Sequence, residues 1–137
     1  MDDNICRAVA KGDIECVKSL FSRGNSANYE DINSGHSLLN IAVENEQLEV
    51  VKFLLQNGAD INFKSFKEWT PLHVAVDISI DGTIQTGGSP GEEPTELIKY
   101  LLDNGADKNA LECNGKTPID IAKDYNSQKI INFLESY

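Results

Sequence analysis

The side chains that commonly carry out catalysis or bind metals are few and scattered in this 137-residue chain. His36 and His73 belong to the residue type that most often acts as a general base or metal ligand. Three cysteines, Cys6, Cys16 and Cys113, include no Cys-x-x-Cys pair, so neither a disulfide framework nor a zinc site is predicted. No Ser-His-Asp or Cys-His set has a spacing that would bring its members together. The sequence therefore predicts no catalytic residues, no metal and no cofactor.

The segment Asp77–Thr83 is a candidate for phosphate-transfer chemistry. Its residues 79–83, Ser-Ile-Asp-Gly-Thr, resemble the Asp-x-Asp-Gly-Thr motif of the haloacid dehalogenase phosphatases. Ser79 stands where that family has its nucleophilic carboxylate, and a serine needs an activating base. We therefore expect Asp81 and Gly82 to form a tight turn. A phosphatase-like enzyme that uses this segment is a remote alternative.

Two glycine-containing segments match phosphate-binding loops only in part. Gly-Lys-Thr at 115–117 matches the end of the G-x-x-x-x-G-K-T pattern, but that pattern needs glycine at Ala110 and an uninterrupted helix, whereas Pro118 follows. The glycine-rich segment 87–91 lacks the G-x-G-x-x-G order. We interpret the first as a turn into a capped helix and the second as a connecting loop.

The charge balance narrows the class of partner. The chain has 12 Lys and Arg against 22 Asp and Glu, a net charge of -10. Nucleic acids and anionic membranes are bound by clustered cations, so both are disfavoured and a basic protein is favoured. No apolar run approaches the roughly 20 residues that span a bilayer, and Asp2 and Asp3 do not begin an export signal. We expect a cytoplasmic protein that is a monomer when free.

The chain repeats itself along most of its length. Gly24, Gly58 and Gly105 lie in matching segments, with spacings of 34 and 47 residues. A second block ends at Ala8, Ala42, Ala75 and Ala122, which are 34, 33 and 47 residues apart. A period of 20 to 50 residues is typical of stacked repeat architectures. The longer third interval indicates an insertion.

Each repeat contains the signals of two short helices. Thr70 is suited to cap a helix N-terminus and Pro71 to occupy its first turn, and the same pair recurs at 117–118. The second helix, at about 48–56, is predicted to end at Asn57 and Gly58 through a left-handed cap. Two helices this short cannot bury their apolar faces alone, so the repeats must stack.

The Thr-Pro-Leu-His-Val-Ala block at 70–75 and the Asn-Gly-Ala-Asp turns at 57–60 and 104–107 resemble ankyrin repeats, in which two helices are followed by a projecting β-turn. The resemblance covers nearly the whole chain. It implies an all-α solenoid in one domain, 1–137, with repeats at about 1–32, 33–65, 66–112 and 113–137 and a long loop insertion at 78–94. It also implies that His73 is structural, and that the protein binds another protein without catalysis.

In a stacked array, recognition residues lie at the turn tips and on the first-helix faces. Phe66 and Trp69, at one tip, are candidate anchors because aromatic side chains dominate interface energetics. Packing of Trp69 against its own repeat is an equal alternative. The matching first-helix positions are Glu44 and Asn45, Asp77 and Ile78, and Asp124 and Tyr125.

The insertion is acidic. Six acidic residues and no Lys or Arg lie between positions 68 and 98. We expect Pro94 to begin the following helix, with Glu92, Glu93 and Glu96 in or near its first turn, where the helix dipole favours anions. Asp77 and Asp81 have no such explanation, so they are the leading candidates to contact a cationic partner, with Glu92 and Glu93 beside them.

Two binding functions fit these features. Small acidic ankyrin proteins with such an insertion resemble immunity proteins that neutralise bacterial toxins, and an acidic concave face suits the basic surface of a nuclease toxin. The alternative is a regulatory or scaffold ankyrin module, in which the aromatic tip matters more than charge.

Overall fold

A computed structural model describes residues 3–31, 34–88, 91 and 93–137. They form eight α-helices, arranged as four helix-turn-helix pairs that stack in a row. The helices are α1 (Asp3–Lys11), α2 (Ile14–Ser22), α3 (Leu38–Glu44), α4 (Leu48–Gln56), α5 (Pro71–Gln85), α6 (Glu96–Asp103), α7 (Pro118–Asp124) and α8 (Gln128–Glu135). A short 3₁₀ turn, Phe66–Glu68, precedes α5.

The starts of α5 and α7 and the end of α4 form as their sequences predict. The Thr70 hydroxyl accepts a hydrogen bond from His73 N, and Thr70 N donates back to His73 Nδ1 at 3.2 Å. This reciprocal capping box fixes the start of α5, and Thr117 and Asp120 repeat it at α7. Gly58 has φ +94° at the end of α4, the left-handed region that glycine adopts without strain.

Side-chain bridges hold neighbouring repeats in register. His73 Nε2 lies 2.9 Å from Lys116 O. Asn40, three residues after the Ser37 cap of α3 as His73 is after Thr70, donates from Nδ2 to Trp69 O at 3.2 Å. In both cases the side chain reaches the carbonyl just before the next repeat's helix cap.

A second series of bridges links the turn tips. Asn28 Oδ1 accepts from Asp60 N at 3.0 Å, and Asn62 Oδ1 accepts from Asp107 N at 2.8 Å. The amide groups of the same two asparagines donate to carbonyls of the glycine turns in the next repeat. The periodic asparagines therefore place the tips in a row.

The core runs along the stack between the two layers of helices. The alanines that define the period are buried, as are Val51, Leu54, Leu72, Leu101 and Leu134. The first helices α1, α3, α5 and α7 pack closely on one another, whereas contacts between successive second helices are sparser. Closer spacing on one side curves a stack, so the first helices and the tips line the inner, concave face.

The insertion corrects two expectations. Asp81 and Gly82 do not form a tight turn: they lie within α5, which has 15 residues where α3 and α7 have seven. The chain turns at a residue with positive φ in the other repeats, at Gly12, Glu46 and Asn126. The matching position in α5 is Ser79, which stays helical, so half of the predicted loop is helix.

The start of α6 is also later than expected. Pro94 lies outside the helix, Thr95 occupies the cap position, and α6 begins at Glu96. Glu96 is therefore the only one of the three predicted first-turn acids found in the first turn among the described residues. Glu92 lies outside the described residues.

Candidate functional site

The concave face carries a row of carboxylates. Glu44, Asp77 and Asp124 occupy the same position in α3, α5 and α7, two residues after the buried alanine of each repeat. Ankyrin-like packing places adjacent helices about 8–10 Å apart, so these acids recur along the stack at that spacing. The next residues, Asn45, Ile78 and Tyr125, lie beside them.

A hydrogen bond joins Asp77 of the third repeat to Tyr125 of the fourth. The Tyr125 hydroxyl donates to Asp77 Oδ1 at 2.8 Å. Burial, the hydrogen bond to Asp77, and the charges of Asp77 and Asp81 raise the pKa of Tyr125 to about 12. The phenol therefore stays a neutral donor at physiological pH, and it holds the Asp77 carboxylate in place on the concave face.

Asp124 is neutralised by its own repeat. Its carboxylate forms an ion pair with the Lys116 ammonium, and this hydrogen bond is the main cause that raises the pKa of Lys116. The ion pairs among the described residues include neither Glu44 nor Asp77. Two adjacent members of the row are thus left without a cationic partner.

A cleft, here called the tip cleft, lies between the 3₁₀ turn and the first helices of the second and third repeats. Its volume is about 230 Å³. The lining combines apolar, polar and charged side chains, namely His36, Asn40, Glu44, Phe66, Lys67, Trp69, Val74, Asp77 and Ile78. The structure therefore brings together five of the residues that the sequence singled out: Glu44, Phe66, Trp69, Asp77 and Ile78.

The two aromatic residues of the tip differ in exposure. Phe66 is 57% exposed, and the ammonium of Lys67 lies 5.6 Å from the centre of its ring. Trp69 is half-buried, packs against the core, and has its ring 5.8 Å from that of His73. Trp69 thus packs on its own array and still forms a wall of the cleft.

His73 has the structural surroundings that the sequence resemblance implied. Its side chain is fully buried, and burial lowers its pKa in spite of the opposing effect of the Lys116 carbonyl. Thr70 N donates to Nδ1, so Nε2 carries the proton that Lys116 O accepts. Both ring nitrogens are therefore engaged in holding the repeats together.

The acids of the insertion divide into different roles. Asp81 is half-buried one turn beyond Asp77 and accepts a hydrogen bond from Gln85 at 2.5 Å. Glu93 is 4% exposed, and its two oxygens accept from Ser127 Oγ at 2.6 Å and from Gly91 N at 2.7 Å. Glu93 therefore anchors the insertion to the last repeat, which argues against its predicted role as a partner contact.

The charge of Glu93 is stabilised by these bonds. Burial by itself would raise the pKa of Glu93, but the hydrogen bonds from Ser127 and Gly91 outweigh it, and the pKa lies below its ordinary range. The carboxylate is ionised at neutral pH. Because Ser127 caps α8, the bond also ties the insertion to the start of that helix.

The phosphatase-like motif has a geometry unlike that of a strand-end nucleophile. Residues 77–83 are helical. Ser79 is buried and donates from Oγ to Pro94 O at 2.5 Å, and Thr83 donates to Ser79 O at 2.8 Å. The hydroxyls of the motif are thus used to hold the helix and its connection.

The described part of the chain has neither a cluster of metal-binding residues nor a membrane-spanning helix. Within it, no group of three or more His, Cys, Asp or Glu residues is placed to hold a metal ion. No helix there is long and apolar enough to cross a membrane.

Comparison with known proteins identifies the repeat. A family model described as ankyrin repeats in three copies matches residues 5–81, and a single ankyrin repeat matches residues 67–112. The chain belongs to the ankyrin repeat family. The insertion lies inside the second match, so it interrupts an ankyrin repeat that is otherwise recognisable.

Several curated proteins share about half of this ankyrin chain. The human transient receptor potential cation channel subfamily A member 1 is 41% identical over 71 residues, 50% of this chain and 6% of that protein. The yeast probable 26S proteasome regulatory subunit p28 is 36% identical over 72 residues, 52% and 32% of the two chains. Mouse protein phosphatase 1 regulatory subunit 12A is 34% identical over 59 residues, 43% and 6%. The chain spans less than a third of the length of these relatives.

Sequence reasoning did not assign four residues of the tip cleft to a binding surface, namely His36, Asn40, Lys67 and Val74. Asn40 is 1% exposed, and its Oδ1 is a buried acceptor without a hydrogen-bond partner in the described residues. His36 and Lys67 also line the cleft. The ankyrin register marks Asn40 as the counterpart of His73 and offers the one signal that could have drawn attention to it.

Proposed function

We propose that this ankyrin array binds a protein partner with a basic surface through its concave face and the adjoining tip, and that it does so without catalysis. Ankyrin repeats mediate protein–protein interaction, and the family is generally non-enzymatic. The observation that carries the proposal is the pair Glu44 and Asp77, two neighbouring carboxylates on the concave face that take part in no ion pair among the described residues.

The physical basis is electrostatic complementarity. With a net charge of -10, the molecule attracts cationic surfaces at long range and so raises the rate of association. Asp81 lies one turn beyond Asp77 on the same helix and extends the acidic surface. Glu93 contributes by holding the insertion in place.

The more specific form of this function is inhibition of a toxin. An immunity protein of this kind would cover the basic, nucleic-acid-binding surface of a bacterial nuclease toxin with its acidic concave face. It would act in the cytoplasm as a monomer until the toxin binds.

A second candidate is a regulatory or scaffold module. Two of the relatives are named as regulatory subunits, of the 26S proteasome and of protein phosphatase 1. In this role the aromatic tip, with exposed Phe66 and half-buried Trp69, would contribute more of the binding energy than charge does.

Charge reversal on opposite faces tests the proposal. The variant Glu44→Lys/Asp77→Lys/Asp81→Lys changes the concave face, and Glu15→Lys/Glu49→Lys/Glu96→Lys makes the same change of charge on exposed residues of the second helices. With the partner purified from the native host, the concave variant should bind about threefold to a hundredfold more weakly, since each of the three exposed pairs contributes about 0.2–1 kcal/mol. The control variant should lose far less.

The result also separates the two candidate functions. If a neighbouring gene encodes a secreted toxin with a basic domain, co-expression of the wild-type chain should rescue growth, and the concave variant should not. Urea unfolding must show that both variants fold. Equal loss of binding in the two variants would mean that net charge, and not the concave face, is responsible.

A further inference from the structure

We infer that the tip cleft is a receptor for one arginine side chain of the partner protein. This inference rests on the proposed binding function and makes it more specific: it names the chemical group that enters the array. It is carried by the lining of the cleft, which combines two carboxylates, an aromatic wall and a buried amide acceptor.

The size of the cleft favours a single side chain. Its volume of about 230 Å³ lies below the roughly 300–1,000 Å³ that is typical of pockets for small-molecule ligands. The cleft is nevertheless several times larger than the roughly 30 Å³ that one water molecule occupies. A long side chain from a docked protein is therefore a better match than a free cofactor-sized ligand.

The walls favour a side chain with an apolar stem and a planar cationic end. Val74, Ile78 and the Trp69 ring supply apolar contact for methylene groups, as amphipathic cations require. Aromatic rings also attract guanidinium groups that lie against them.

Asn40 supplies the independent evidence for a hydrogen-bond donor. Its Nδ2 donates to Ser65 Oγ at 2.8 Å and to Trp69 O at 3.2 Å. A carbonyl oxygen accepts only, so the amide orientation is fixed and Oδ1 is the remaining acceptor. That atom is buried and has no donor in the described residues, an arrangement that costs free energy until a donor is supplied.

Arginine satisfies this set of acceptors better than lysine. Glu44 and Asp77 carry charge at the cleft, and one oxygen of Asp77 is already fixed by Tyr125. A guanidinium presents five donors in a rigid plane and loses less hydration than an ammonium does. Several acceptors around one flat group therefore select arginine.

The charge of Lys67 disfavours entry of an arginine side chain into the cleft. Its ammonium lies over the Phe66 ring at the edge of the same cleft, and its backbone has φ +61°. An incoming cation is repelled by this ammonium. Removal of the Lys67 charge should therefore strengthen binding of a cationic probe, whereas removal of either carboxylate should weaken it.

Small amides without a carboxylate test the cleft directly. The chain contains one tryptophan, so a nitrogen-15 spectrum has a single indole N–H signal to follow. Titration with Nα-acetyl-arginine amide should move the Trp69 signal along a saturating curve, with an affinity on the order of millimolar. Nα-acetyl-lysine amide should bind about fivefold more weakly, and the uncharged citrulline amide should give no saturable shift.

Variants with opposite expected effects control the test. Glu44→Gln and Asp77→Asn should each weaken the arginine probe about threefold to fivefold, and Lys67→Gln should strengthen it about twofold. Glu49→Gln, on the convex side, should leave the affinity unchanged. The arginine assignment is wrong if the lysine or citrulline amide binds as tightly, or if no probe saturates at about 50 mM.

Failure of the arginine-receptor inference can be distinguished from failure of the proposed binding function. If the arginine amide does not bind but the concave charge-reversal variant still loses the partner, only the arginine receptor is wrong. If the partner binds equally to the wild-type chain and the concave variant, the proposed binding surface is wrong, whatever the probes show.

Discussion

His73 and Asn40 occupy matching positions in neighbouring repeats, and each side chain links its repeat to the next. Each lies three residues after the cap of its own helix, and its side chain donates a hydrogen bond to the carbonyl that precedes the next repeat's helix cap. His73 uses both ring nitrogens, whereas Asn40 has an oxygen left over. The sequence predicted the structural histidine from its Thr-Pro-Leu-His block, because the block is local. The spare acceptor of Asn40 depends on Ser65, at the end of the same repeat, and on Trp69 of the next repeat, and no local pattern predicts that.

Replacement of His73 by alanine tests this bridge. We expect the free energy of unfolding to fall by about 2–4 kcal/mol, because the change removes half of a capping box, creates a cavity and leaves Lys116 O without its donor. Urea unfolding at pH 7 measures the loss. Ser26→Ala, at an exposed turn residue, is the control, and a loss below about 0.5 kcal/mol for His73→Ala would refute a structural role.

Glu93 gives a pH-dependent prediction. Its pKa in the folded protein is depressed, so its bonds stabilise the fold above the unfolded carboxyl pKa, about 4.3, and this contribution is lost as the pH falls through the folded-state pKa. Glu93→Gln should cost about 1 kcal/mol at pH 7, because an amide has one acceptor oxygen for the two donors Ser127 and Gly91.

The difference between wild type and Glu93→Gln should be smaller at pH 3 than at pH 7, because the contribution of the carboxylate is lost as it becomes protonated. Unfolding measured at both pH values checks this, with Glu96→Gln, an exposed first-turn acid, as the matched control. A difference that persists unchanged at pH 3 would mean that the carboxylate charge plays no part in the anchor.

At the scale of elements, α5 is where the sequence and the structure differ most. The Asp-Gly pair at 81–82 is a strong turn signal by itself. It is overridden because Ile80 is buried and Ser79 and Thr83 hydrogen-bond along the extended helix and its connection. By contrast, α4 was predictable because an apolar stripe and a terminal glycine agree, and α7 because its Thr-Pro cap and apolar residues agree.

A pair of glycine substitutions distinguishes the helix from the turn. Gly82 lies inside α5 without a positive φ, and a Cβ there would meet nothing within 4 Å. Gly82→Ala should therefore raise the free energy of unfolding by about 0.5–1 kcal/mol. Gly58→Ala should lower it by about 1 kcal/mol, since φ is +94°. Thermal unfolding of both variants is the measurement. Destabilisation by Gly82→Ala would contradict the helix and support the turn expected at Asp81 and Gly82.

At the scale of the whole molecule, the period of the sequence was enough to predict a stacked, curved array and its inner face. It did not predict which inner residues share a cleft, because the tip cleft is assembled from three segments, near residues 36–44, 66–69 and 74–78. The predicted acidic field also changed in detail, since Asp124 is paired and Glu93 is buried. What remains is a smaller acidic surface centred on Glu44 and Asp77.

Salt dependence tests the role of net charge. A chain of charge -10 should associate with a basic partner more slowly as salt rises, because long-range attraction is screened. Between about 50 mM and 500 mM NaCl we expect the association rate to fall about tenfold, with a much smaller change in dissociation. Stopped-flow or surface-based kinetics would show this, and a salt-independent association rate would exclude steering.

Hydrogen exchange on the bound complex tests the central claim, that the first helices and the tip form the binding face. The partner should be purified from the native host and the backbone amide exchange of this chain compared with and without it. We predict new protection at the tip, 65–70, and in the last turn of α3 and the middle of α5, with little change in α2, α4 and α6. Protection confined to those second helices would contradict the account.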